Sequence, residues 1–444
     1  SRKLLQAKLK DANEEDKKVI QAEIDALGSN VVASKSWDKV LEFAQIKGMG
    51  WNLFAPVNNT VFAFVSNMIH AAGGEDFDYP QFLKAQRIML NSVGKSISLD
   101  SYTSKTANKI NKLMEDWNVV GEIDQAGYKS TAFESNAAKG LKKLAPYELT
   151  RRAEYLNQGT TFVAMMLGNP IKDLSGKERN LWEAYDSNGK WNTKEFGTEI
   201  SLEERKKFKH RLEQVKKSIH GNYDTSSAVK IKKTTLGRAV MMFRSWVAEG
   251  FANRFEAEKD DLLLGRKRKG RLITLKEQGV VKGPLLILGQ MANFLTFGGT
   301  FKATLDKLSP VDKANMRKNA AEVMLYLSLY SLVLILKSID SDDDDEKKAL
   351  NALLNVSFRV QNDMAFFTSP LAFEKITQSS IPAMSIVTDA AKLVQAMQKT
   401  IAGDPYYKNG NHRGESRIKI ALAKNFPGTT QVIRTSAGLA KANE

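Results

Sequence analysis

Ser309-Pro310-Val311-Asp312, followed by the uncharged run of 14 residues from Val323 to Leu336, decides the fold class. A serine can cap the first free amides of a helix, and a proline at the next position loses no hydrogen bond, because that amide has no partner inside the helix. The run behind it has Arg317 and Lys318 before it and Lys337 after it. A second uncharged stretch, 19 residues from Gly283 to Phe301, precedes the pair and contains Pro284, Gln290 and Asn293. Spanning a bilayer takes roughly 20 helical residues. The earlier stretch is long enough but polar in places, and the later one is more apolar but short. Residues 279–350 therefore read as an apolar helical hairpin, buried in a protein assembly or inserted in a membrane, with burial the favoured outcome. Its membrane or subunit contacts would be Leu285, Leu286, Leu288, Phe294, Leu325, Leu329 and Leu332. The acidic run Asp340, Asp342, Asp343, Asp344, Asp345, Glu346 reads as a solvated loop or helix cap, with a basic patch on a neighbouring subunit as an alternative contact.

Outward from there the same punctuation recurs. Ser175-x-x-Glu178 and Ser201-x-x-Glu204 have the spacing of capping boxes, and Asn13 precedes Glu14, Glu15 and Asp16. Ten prolines in 444 residues fall well below the usual share of about 5%. Residues 1–28 read as an amphipathic helix or hairpin, 51–70 as a buried helix and 73–80 as a loop. The strand signal is confined to Ala184-Tyr185-Asp186-Ser187-Asn188-Gly189-Lys190-Trp191, where Asn-Gly would supply positive φ angles for a tight turn. The expectation is a mainly α, elongated multi-helical protein with at most a small β-hairpin near 184–191. Four regions are expected: an N-terminal helical region 1–140, a basic helical domain 141–278, the apolar hairpin with its acidic run 279–350, and a helical and loop region 351–444.

The chemistry of the side chains excludes more than it offers. There are no cysteines, which rules out disulfide scaffolds, thiolate zinc sites, iron–sulfur clusters and cysteine nucleophiles. Only His70, His210, His220 and His412 remain, without ligand spacing around them, so no metal site is expected. Val93-Gly94-Lys95-Ser96 ends like a phosphate-binding loop, but Met89 stands where its first glycine belongs. Ser92-x-x-Lys95 stands without the other motifs of serine–lysine enzymes, and Asp186-Ser187-Asn188-Gly189 places its glycine too early for a calcium loop. No catalytic, cofactor-binding or metal residue is assigned, and no enzyme is expected. A secretory signal is not read at the start, which is Ser1; either processing or partial order of a longer protein would account for that residue.

Charge is the stronger signal. Lys and Arg number 66 against 50 Asp and Glu, giving a formal net charge of +16. Gly265-Arg266-Lys267-Arg268-Lys269-Gly270-Arg271 places five cations in seven residues, and Lys232 and Lys233 stand in a second basic stretch. Arg266, Lys267, Arg268, Lys269, Arg271, Lys232 and Lys233 are the expected contacts for nucleic acid or an acidic partner. Phosphates would be neutralised there without sequence readout. A solvated helical face is the competing account of each cluster.

Two stretches carry a resemblance. One is Ile219-His220-Gly221-Asn222-Tyr223-Asp224 with Leu236-Gly237-Arg238-Ala239-Val240-Met241-Met242-Phe243-Arg244-Ser245-Trp246 and Gly250-Phe251-Ala252-Asn253-Arg254-Phe255; the other is Lys424-Asn425-Phe426-Pro427-Gly428. Over roughly residues 200–440 the arrangement resembles the C-terminal part of very large virion proteins of tailed bacteriophages, particularly crAss-like phages. The resemblance implies a non-enzymatic cargo protein, held in the tail or portal lumen and ejected with the genome. It implies contacts with other virion proteins or copies of itself, with genomic DNA lacking sequence specificity, or with the host membrane. A membrane-active part of the ejection conduit and a fixed structural tail protein are the alternatives. A fragment of a virion RNA polymerase ranks last, because the Asp cluster at 340–345 lacks the glycine-bounded loop of a metal site.

Overall fold

The computed structural model describes residues 54–93, 109–119, 148–221, 245–279, 281–296, 307–338, scattered positions between 350 and 361, 384–409 and 412–425. It is mainly α, with two very short antiparallel strand pairs. The elements are α1 (Phe54–Gly73), α2 (Tyr79–Val93), α3 (Lys109–Asp116), α4 (Glu148–Leu167), β1 (Pro170–Lys172), β2 (Glu178–Asn180), α5 (Thr193–Phe196), α6 (Leu202–His220) and α7 (Ser245–Phe255). The chain continues through β3 (Lys259–Asp261), β4 (Arg266–Arg268), α8 (Arg271–Glu277), α9 (Lys282–Thr296), α10 (Pro310–Ser338), α11 (Met384–Ile401) and α12 (Arg417–Asn425).

Capping chemistry starts the two helices that frame the site. Ser201 accepts the Glu204 amide at 3.2 Å while the Glu204 carboxylate accepts the Ser201 amide at 2.9 Å, the reciprocal capping box expected for α6. Ser309 likewise accepts the Asp312 amide at 3.2 Å and donates its hydroxyl to Asp312 Oδ2 at 2.7 Å, with Pro310 as the first helical residue of α10. Ser175 and Glu178 behave differently from their capping-box spacing. Asp173 Oδ1 accepts the amides of Ser175 and Lys177 at 2.9 and 3.0 Å, which folds the chain into a turn, and Glu178 enters β2 instead of a helix. The segment 184–191 does reverse direction, with a single bridge between Tyr185 and Trp191. Of its Asn-Gly pair only Gly189 has positive φ, and Asp186 closes the loop by accepting the amides of Asn188 and Lys190. The strand pairs proper lie elsewhere, at β1–β2 (Ile171 opposite Arg179) and β3–β4 (Asp260 opposite Lys267).

The larger core is built where α2 and α1 pack on α4, with α3 and α6 closing the sides. Phe82, Met89, Leu113, Met114, Phe162 and Leu212 are among its fully buried side chains. Each such side chain contributes roughly 1.5–3 kcal/mol by leaving water. Trp117 sets its ring edge-on to Phe208 at 5.0 Å, tying α6 to the turn after α3. A smaller group forms where α8 and α9 pack on α10, around Leu286 and Met316. α10 also lies along α1, where Leu325 and Leu329 meet Val65 and Ile69. α11 and α12 pack on each other, and Asn425 on α12 donates to the carbonyl of Asp389 at 3.0 Å. Residues 1–28, the broken phosphate-loop end at 94–96 and the acidic run 340–346 lie outside the described residues.

Candidate functional site

The site grows from the short loop after α1. His70 lies on the last turn of α1, and Asp76 follows in the loop at 3% exposure. That loop lies directly against the end of α4. A Cβ at Gly168 would come 2.5 Å from the carbonyl oxygen of Asp76, so only a glycine permits the approach. Asp76 Oδ2 accepts a hydrogen bond from His70 Nε2 at 3.0 Å, so the proton of that bond sits on Nε2. Its other oxygen, Oδ1, meets Arg211 of α6 at 2.9 Å and Arg266 of β4 at 3.2 Å. Burial pushes the Asp76 carboxyl up, but the His70 bond and the Arg266 and Arg211 charges outweigh it and hold the group far below the usual carboxylate range. Burial, and then the Lys318 ammonium, lowers His70.

A second carboxylate repeats the pattern. Glu322 of α10 receives Arg254 of α7 on one oxygen and Arg271, the first residue of α8, on the other at 2.8 Å. Arg254 and Arg271 are each only 7% exposed. Desolvation, and then the neighbouring Arg271 charge, lowers Arg254 to about 10. Two carboxylates thus serve four guanidiniums. Around them, Lys269 is neutralised by Asp312 and Glu277, both at 2.6 Å, and Lys318 by Glu75. α10 also holds the backbone of the basic stretch: Asn315 donates to the Lys269 carbonyl and Asn319 to the Arg271 carbonyl, each at 3.0 Å. Gly270 allows α7 and α8 to meet, since a Cβ there would lie 2.7 Å from the Arg254 carbonyl. Between these elements is a cavity of about 160 Å³.

All five cations of the 265–271 stretch line this cavity. They are brought together, but mostly against acidic partners from distant parts of the chain. Arg266, Lys267, Lys269 and Arg271 are in ion pairs, Lys267 with Glu258 at 2.6 Å. Among the described residues no carboxylate pairs with Arg268. Lys232 and Lys233 lie outside the described residues. The sequence reading missed Asp76, Arg211, Arg254, Asp312 and Glu322. Glu322 had a signal, as the only carboxylate between Lys313 and Leu336, where an isolated charge on an apolar helix calls for a buried partner.

The expected apolar contacts divide. Leu286 is buried, and Leu325 and Leu329 pack against α1, whereas Leu285 and Leu288 stand 57% and 58% exposed on α9. Leu332 is half-buried; Phe294 lies on α9, its side chain outside the described residues. Leu327, Tyr330, Leu334 and Ile335 extend an exposed apolar face along the second half of α10. α10 is long and apolar enough to cross a membrane by length and composition. Its first half, however, holds Asp312, Lys318 and Glu322 in ion pairs. The uncharged part, Val323 to Leu336, extends only about 21 Å at 1.5 Å per residue, against a hydrocarbon core of about 30 Å.

A second polar group lies inside the larger core. Thr161 of α4 donates to Asn67 Oδ1 at 3.0 Å and lies 3.0 Å from His220 Nε2. Desolvation, and then the Lys216 ammonium, lowers His220 to about 3. Among the described residues, no cluster of three His, Asp or Glu side chains could hold a metal ion. Comparison with protein-family models, with curated proteins and with solved structures finds no match.

Proposed function

We propose that this chain is a non-enzymatic protein of a tailed-phage virion, carried as cargo in the tail or portal lumen and ejected into the host with the genome. The observation that carries the reading is the division of α10. Its first half is locked into the ion-paired cavity, and its second half presents Leu327, Tyr330, Leu334 and Ile335 to the outside. An exposed apolar face of this kind suits contact with another protein of an assembly. The resemblance of 219–255 and 424–428 to virion proteins supplies the class of assembly. The cysteine-free composition suits storage and transfer between compartments of different redox state.

Mass spectrometry of whole virions against shells emptied of their genome tests this. Cargo is present in the first and lost from the second. Retention at fixed copy number makes the chain a structural tail part, and absence from both removes the virion reading. The membrane-active alternative draws on the length and composition of α10. Flotation with liposomes separates it, since a protein-packing face leaves the chain unbound.

A further inference from the structure

We infer that the cavity between α1, α6, α7, the β3–β4 hairpin and α10 is a binding site for a phosphate-type oxyanion, held chiefly by Arg266 and Arg271. This goes beyond a virion role and stands without it. The first observation is the charge count inside the wall: Asp76 is shared by Arg211 and Arg266, and Glu322 by Arg254 and Arg271. Buried charge is tolerated when it is paired, and Arg211 and Arg266 share the single carboxylate of Asp76, so on that side of the wall the cations outnumber the acid. Glu75 answers Lys318, and Lys269 has two carboxylates, Asp312 and Glu277, while Arg268 lines the cavity with no carboxylate partner among the described residues. An oxyanion in the cavity would answer that excess.

The second observation is unfilled donor capacity. A guanidinium has five N–H donors. Among the described residues, Arg266 donates to Asp76 alone and Arg271 is paired only with Glu322, and the Nε–H of each is buried with no acceptor. Planar forks with spare donors match the oxygen edges of a phosphate, where a lysine would offer only a point charge. The third is room. About 160 Å³ corresponds to about five waters at roughly 30 Å³ each, enough for a tetrahedral oxyanion that keeps some of its hydration. Arg266 is the accessible member, its side chain 28% exposed, while Arg271 at 8% forms the floor.

The ligand chemistry is shared by free phosphate, a terminal phosphomonoester and a nucleic-acid backbone. Calorimetric titration of the full chain with inorganic phosphate, at ionic strength fixed with chloride, reads the site directly. Binding of one phosphate per chain is expected, weakened at least tenfold by Arg266→Gln and unchanged by Lys207→Gln, a surface cation on α6. Arg266→Lys should recover little, since it restores charge without the fork. Arg271→Gln is read only after a thermal melt shows it folded. Parallel titrations with 5′-phosphorylated and unphosphorylated tetrathymidylate assign the source: a monoester site binds only the first, a backbone site binds both, and a free-phosphate site binds neither. No heat with any of the three probes overturns the inference, as does phosphate binding that Arg266→Gln leaves intact.

Discussion

Asp76 and Arg266 are 190 residues apart in sequence, yet Oδ1 of one and a terminal guanidinium nitrogen of the other lie 3.2 Å apart. That contact joins the loop after α1 to the β3–β4 hairpin, and Arg211 of α6 meets the same oxygen. Replacing Asp76 with asparagine would leave two guanidiniums and no counter-charge. Removing one partner of a buried ion pair costs about 3–5 kcal/mol. Urea denaturation of Asp76→Asn should show a loss of that order. The double variant Asp76→Asn with Arg266→Gln should recover part of it. A loss under 1 kcal/mol would mean that water reaches Asp76 freely enough to screen it.

The pH dependence of stability should carry the signature of His220. Its folded value of about 3 lies below the ordinary histidine value of 6.5. The unfolded chain therefore takes up a proton near pH 6.5 that the folded chain refuses until about pH 3. Stability is lost as pH falls through this window, by at most about 1.4 kcal/mol per pH unit from this group. Asp76 acts lower down: its depressed folded value supports stability above about pH 4, a support lost only in stronger acid. His220→Gln should flatten the slope between pH 6.5 and 4, as read by chemical denaturation at several pH values. An unchanged slope would transfer the effect to His70, which burial also lowers.

Two glycines permit close backbone approaches that a methyl group would block. Gly168→Ala would push against the Asp76 carbonyl, and Gly270→Ala against the Arg254 carbonyl and the Glu256 amide. Each should cost about 1–3 kcal/mol by overpacking. Gly265→Ala, with open space around it, meets no such contact, and its cost comes from positive φ alone. Melting temperatures of the three variants check the distinction: the first two should also lower phosphate affinity, and the third should not.

The exposed half of α10 separates stability from assembly. Leu327 and Leu334 are 48% and 52% exposed, so aspartate at both positions should change the unfolding free energy by no more than about 1 kcal/mol. The same change should abolish incorporation of the chain into particles, measured by immunoblot of purified virions. Normal incorporation would move the assembly contact to another face.

Helix positions were legible where a local side chain closes its own backbone, as at Ser201 with Glu204 and Ser309 with Asp312. Local spacing misled at Ser175, because Asp173 two residues earlier competes for the same amides and bends the chain into a hairpin. The β3–β4 pair went unread since its strands are only three residues each and carry charges instead of an alternating apolar pattern. Arg266 to Arg271 were visible as charge, but a one-dimensional pattern shows a cation and not its neighbour. Asp76, Glu322 and Asp312 come from other elements, so what reads in sequence as a bare basic patch is in space largely compensated.

The order in which these partners occur along the chain has a consequence for synthesis. Asp76, His70 and Arg211 leave the ribosome before Arg266, and so does the core formed by residues from 71 to 219. Asp76 can therefore be neutralised by Arg211 in a nascent chain that has not yet made its hairpin. Glu322 is opposite: Arg254 must wait for a carboxylate 68 residues downstream, and Arg271 for the same one about 50 residues downstream. The segment from Arg254 to Glu322 is thus the part that a stalled or truncated translation product leaves with unanswered positive charge.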